Sequence, residues 1–140
     1  PCHEFPADAK AAFFSVHALK DPDLQAKLAK FIAAGKPVLL TDGLADRLAG
    51  AIDLKAPNVH VLTVKGNPKA LLELPQTQLD QLRQPLLKPF ACTFRAPAWV
   101  GLYLFDDGAW VVENFNDRAI AVELNGQEIS VAARQWTYKF

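Results

Sequence analysis

The sequence has no methionine, only two cysteines and no excess of charge of either sign. Each shortage excludes something. A chain that starts at Pro1 and lacks Met reads as a processed form or a piece of something longer, with no signal peptide to interpret and no compartment to assign. Cys2 and Cys92 do not make a disulfide-rich scaffold. Free thiols are expected ahead of a bridge, although a bridge closing that loop would stabilise the fold by roughly 4–5 kcal/mol in chain entropy. The 15 basic side chains balance the 15 acidic ones, which argues against a nucleic-acid or anionic-membrane partner. No apolar stretch approaches the roughly 18–20 residues of a membrane span. No glycine-rich dinucleotide or phosphate loop is present, and no cofactor is implied.

What is present is apolar material and a change of grammar. Hydrophobic residues make up 51% of 140, enough for one ordinary domain or two small ones. Up to about residue 90 short apolar runs alternate with helix-period segments. Beyond it, short strands and tight turns follow one another to Phe140.

In the first part, Lys10–Val16 reads as a strand buried on both faces. Asp21 is a good N-cap with Pro22 at the first helical position. Leu24, Leu28, Phe31 and Ile32 then form one apolar stripe, and Gly35 with Pro37 ends the helix. Val38–Leu40 is a second buried strand, Leu44–Leu48 a short helix and Asn58–Val64 a third strand. This alternation predicts a parallel three-stranded sheet with flanking helices. Pro68, Pro75, Pro85 and Pro89 punctuate a helical connector, with a helix from about Thr77 to Gln84. In the last part Val100, Leu102 and Leu104 alternate with other residues, Asp106-Asp107-Gly108 signals a hairpin, and Asn125-Gly126 is a type I′ turn pair. The fold class expected is α/β followed by all-β. It comprises a partial α/β unit over 1–67, a connector over 68–90, and a five-stranded antiparallel meander or small sandwich over 91–140.

Candidate sites are few. Thr41, Asp42 and Gly43 lie at the carboxyl end of a predicted parallel strand, where open α/β sheets place ligands. The same residues serve equally well to cap a helix and ease a turn. His17 and Lys65 fall just past other strand ends. With Asp42 they would make a trio of acid/base, orienter and anion-binding cation, or three ordinary loop residues. Cys2, His3 and Glu4 are adjacent, and adjacent residues rarely converge on one metal ion; no metal site is expected. Cys92 suits a small core position better than a thiolate nucleophile. Trp99, Tyr103, Trp110, Trp136 and Tyr138 are concentrated in the β part. Trp99, Trp110 and Trp136 would serve as a sugar-stacking platform if exposed, and as sheet core if buried. Glu113 shares a strand with Trp110, and both are candidates to face outward.

The order of parts resembles the end of bacterial β-galactosidase-type multidomain glycoside hydrolases. There a catalytic barrel is followed by an α/β domain like class I glutamine amidotransferases and a small antiparallel β domain. The stretch FIAAGKPVLLTDGLADRL (Phe31–Leu48) is similar to the helix–strand–turn passage of the former. DGAWVVENFNDRAIAVELNGQEISV (Asp107–Val131) is similar to the latter. The resemblance runs from about Lys10 to Phe140. No cysteine stands at the elbow where an amidotransferase has its nucleophile, and the barrel with the glycosidase carboxylates is absent. The resemblance therefore implies a non-catalytic accessory region of a carbohydrate-active enzyme, with no catalytic residue of its own. Its work would be domain packing or oligomerisation, and its partner the remainder of a parent chain or a second subunit. The alternatives are a carbohydrate-binding module using the aromatics of the β part, and a small hydrolase with a site at the strand ends.

Overall fold

The structure, a computed structural model, describes residues 8–64 and 66–140. The expectations for Cys2, His3, Glu4 and Lys65 lie outside the described residues. The fold class is as expected: a parallel three-stranded sheet with helices, then antiparallel strands. The chain divides into two compact units. One holds the residues up to Leu71 together with Pro85–Ala91, the other Leu72–Gln84 together with Cys92–Phe140.

In the first unit, β1 (Ala12–Phe14), β2 (Val38–Thr41) and β3 (Val59–Leu62) lie in the order β1-β2-β3. Phe13 sits opposite Leu39 and Leu39 opposite His60. Side chains alternate across a strand, so Ala12, Val38 and Val59 share one face with Phe14 and Leu40. That face meets helix α1 (Leu24–Ala33) and helix α2 (Asp42–Leu48), whose Leu28, Phe31, Leu44 and Leu48 complete the core. Fully burying a large aliphatic or aromatic side chain contributes about 1.5–3 kcal/mol, so this stripe dominates the stability of the unit.

Helix α1 ends as its glycine predicts. Gly35 has φ +72°, its N–H donates to the Ile32 carbonyl, and the Lys36 N–H reaches back to that of Phe31. These are the paired bonds of a Schellman motif. Asn58 fastens this end to the start of β3: its Nδ2 donates to the carbonyls of Ile32 at 3.0 Å and Lys36 at 2.7 Å.

Two local expectations are corrected. The helix begins at Leu24, two residues later than a cap at Asp21 requires. The Asp21 carboxylate instead accepts the Asp23 N–H at 2.9 Å and pairs with Lys27 at 2.7 Å, closing a turn ahead of the helix. The first strand is shorter than Lys10–Val16 and is not buried on both faces, since Phe13 is 54% exposed. Among the described residues it is an edge strand, and a continuous apolar run does not by itself reveal whether both faces are covered.

In the second unit, β4 (Phe94–Arg95) joins β7 (Ile120–Leu124) and β8 (Gln127–Val131), while β5 (Val100–Leu104) joins β6 (Trp110–Asn114) and β9 (Trp136–Lys139). The β7–β8 hairpin turns on Asn125 and Gly126, both with positive φ, as a type I′ turn requires. The outcome is two three-stranded sheets, six strands where five were expected, and not one continuous meander. In a meander β9 would lie beside β8; here it lies beside β6. Asn114 explains the change of sheet. Its backbone N–H donates to the Gln135 carbonyl, and its side chain binds the carbonyls of Val131 and Ala132. The chain leaving β8 is thereby drawn across to β6.

Helix α3 (Gln76–Leu87) occupies the connector and contains Pro85. Its Arg83 guanidinium donates to the carbonyls of Ala96 and Pro97 and lies over the Phe94 ring, within the second unit.

Candidate functional site

The strand-end residues resolve into a structural joint. Asp42 opens helix α2; its Oδ1 accepts the Gly43 N–H at 2.9 Å and its Oδ2 accepts the Val64 N–H at 3.1 Å. The carboxylate thus ties the end of β2 to the segment after β3. Thr41 occupies the N-cap position, where its side chain makes no capping bond. A Cβ on Gly43 would come within 3.2 Å of the Val16 side chain, so the glycine allows the 3-10 turn Val16–Lys20 to lie close. His17 is exposed on that turn. Among the described residues no hydrogen bond joins it to Thr41 or Asp42, and no group of three His, Cys, Asp or Glu side chains could hold a metal ion.

The sheet β5-β6-β9 offers a different kind of surface. On β5 and β6 the alternation runs as a half-buried sheet demands: Val112 and Asn114 point inward and are fully buried. Trp110 shares their parity and so belongs to the inner face, where it is partly buried. Glu113, three residues on, points the other way. The expectation that both face outward is corrected for Trp110 by the period of two.

Strand β9 is patterned in reverse. Its inward positions are Thr137 and Lys139, and its outward positions are Trp136 and Tyr138. Trp136 is 59% exposed, Tyr138 53% and the following Phe140 84%. Their rings follow one another along the strand, with centroids 5.5 Å apart from Trp136 to Tyr138 and 4.8 Å from Tyr138 to Phe140. Cross-strand pairing places Gly101, Glu113 and Trp136 in one row and Tyr103, Val111 and Tyr138 in the next. Tyr103 and Phe115 are exposed as well. Their rings come within 3.4 and 3.5 Å of the point where a Cβ on Gly101 would stand, so they roof the one position in the row that lacks a side chain.

One polar pair is set among these rings. The Tyr103 hydroxyl donates to Glu113 Oε2 at 3.0 Å, and this bond to a carboxylate holds the phenol above its ordinary pKa. Of the aromatics concentrated in the β part, Tyr103, Trp136 and Tyr138 belong to the platform. Trp99 is exposed just ahead of β5, with φ +61° and its carbonyl accepting the Phe115 N–H. Phe115 and Phe140 were not singled out. Their parity with Glu113 and Tyr138 is a signal that could have found them.

An exposed apolar cluster is more informative than scattered exposed hydrophobics. This one combines flat π faces with a carboxylate and a phenol, which suits a ligand with one apolar face and hydroxyl edges. No protein-family model matches the chain, and no curated protein or solved structure does so either.

Proposed function

We propose that this chain is a non-catalytic accessory region of a larger carbohydrate-active enzyme and that its β unit contacts carbohydrate through the outer face of β5-β6-β9. The observation that carries the proposal is the reversed patterning of β9, which turns Trp136 and Tyr138 to solvent and gives the parity of the inner face to Thr137, partly buried, and Lys139, itself exposed. A strand that needed only to complete a core would turn its aromatics inward. The likeness of the chain's two parts to the end of β-galactosidase-type enzymes supports the same reading.

Affinity electrophoresis of the full chain through gels containing neutral polysaccharides tests it. Retardation is expected, and Trp136→Ala should abolish it. A chain that migrates unretarded through every gel of the panel overturns the carbohydrate reading. Turnover of aryl glycosides by the purified chain overturns the accessory one.

A second reading, packing against a parent chain or a second subunit, is favoured by the first unit. Its sheet has β1 and β3 as edges, with Phe13 and Val61 exposed on them. Among the described residues no further strand pairs with either edge, and such edges invite pairing. Sedimentation velocity showing a concentration-dependent dimer would support this reading, and a monomer at all concentrations would remove the second-subunit form of it.

A further inference from the structure

We infer that Glu113 is the specificity-determining acceptor of the aromatic face, taking hydroxyl donors from a neutral sugar whose C–H face stacks on Trp136. The inference rests on the carbohydrate reading and deepens it.

Glu113 is on the central strand of its sheet, with Gly101 directly across on β5 and Trp136 directly across on β9. The outward positions of these strands and their extensions are Gly101, Tyr103 and Phe105, Val111 and Phe115, and Trp136, Tyr138 and Phe140. Within the paired strands Glu113 is the one charged residue at an outward position; beyond the strand ends Asp117 and Arg134 pair with each other at 2.8 Å. Tyr103 holds Oε2 and so orients the carboxylate plane. Tyr103 does so from the β5 side, its ring lying with that of Phe115 over Gly101, and Trp136 stands on the β9 side.

This arrangement discriminates between occupants. An apolar protein face laid on the rings would strip water from an ionised carboxylate without returning donors, and that desolvation is costly. A polyanion would bring like charge against it. A ligand that covers the rings must therefore supply hydrogen-bond donors at Glu113 and an apolar face beside it. A neutral sugar ring does both, because its hydroxyls lie around the edge of a C–H surface. A carboxylate acceptor makes the stronger, charge-assisted class of hydrogen bond with such hydroxyls.

Isothermal titration of the full chain with neutral oligosaccharides (gluco-, galacto- and xylo-hexaose), a uronic-acid oligosaccharide and tetramethylammonium tests the assignment. The neutral series is expected to bind. Glu113→Gln, isosteric and at a partly exposed site, should weaken it about tenfold or more and should narrow the gap to the uronic-acid ligand. Trp136→Ala should abolish binding of all sugars. Equal affinity of Glu113→Gln and the parent chain, with binding still lost in Trp136→Ala, overturns the role of Glu113 and leaves the stacking surface standing. Absence of sugar binding by the parent chain overturns the reading beneath it. Preference for tetramethylammonium, lost in Glu113→Gln, replaces the sugar with a cationic ligand.

Discussion

Asn114 and Asn116 are bound to each other across a tight turn. Asn114 Oδ1 accepts the Asn116 backbone N–H at 2.8 Å and its side-chain N–H at 3.0 Å. The Asn114 amide nitrogen faces three carbonyls, those of Arg118, Val131 and Ala132. At 1% exposure the side chain has no recourse to water, and every polar atom it carries is used.

Asn114→Ala should therefore leave several buried groups without partners and cost about 2–4 kcal/mol, on the basis of roughly 1–3 kcal/mol for each group left unsatisfied. Asn114→Asp should cost more, because a carboxylate would face the three carbonyls. Urea denaturation followed by near-ultraviolet circular dichroism measures both. A change within about 0.5 kcal/mol, typical of a surface substitution, would contradict the assigned role.

Asp42 is expected to act through structure. Asp42→Ala removes the acceptor of the Gly43 and Val64 amides and should destabilise the first unit by about 1–3 kcal/mol. Hydrogen exchange resolves the effect by residue. Protection should fall at Val64 first, while amides of β6 and β7 are unaffected. Uniform loss across both units would show that Asp42 does not act locally.

The phenol of Tyr103 should titrate late. Its folded-state pKa is raised by the hydrogen bond to Glu113 and by the charge of that carboxylate. The folded chain therefore holds the proton more tightly than the unfolded one. The stabilising contribution is complete below the ordinary tyrosine value of about 10 and is lost as pH rises through the folded value. The sequence has two tyrosines, so Tyr138→Phe leaves Tyr103 as the sole chromophore for tyrosinate absorbance. Its midpoint should lie above the ordinary value and fall when Glu113→Gln is added. Identical midpoints in the two backgrounds would remove the coupling.

Cys92 should be inert. It is buried, and burial pushes its thiol pKa up, which depresses the reactive thiolate. In a Cys2→Ser background an aromatic disulfide reagent should react slowly in buffer and rapidly in denaturant. Fast, stoichiometric reaction of the native chain would place Cys92 at the surface.

The sequence determined most of the local architecture. The stripe Leu24, Leu28, Phe31 and Ile32, the stop at Gly35 and the turn at Asn125-Gly126 all depend on residues close in the chain, whose spacing carries the information. The three parallel strands followed from the same alternation. The helix start was legible only to within a turn: the Asp21 carboxylate closes a turn on the Asp23 N–H ahead of the helix, and Asp23 takes the N-cap position without a side-chain capping bond.

Tertiary structure decided which strands share a sheet and which face meets water. The transfer of β9 from β8 to β6 depends on Asn114 meeting carbonyls 17 and 18 residues away. The outward turn of Trp136 depends on the pairing register that follows. Period-two alternation separates the two faces of a strand without saying which is inside. On β9 the pattern puts the aromatics on one face and Thr137 and Lys139 on the other, and leaves open whether the aromatics form core or platform. Only the hydrogen-bonded register against β6 turned them outward, and the candidate site exists because of that reversal.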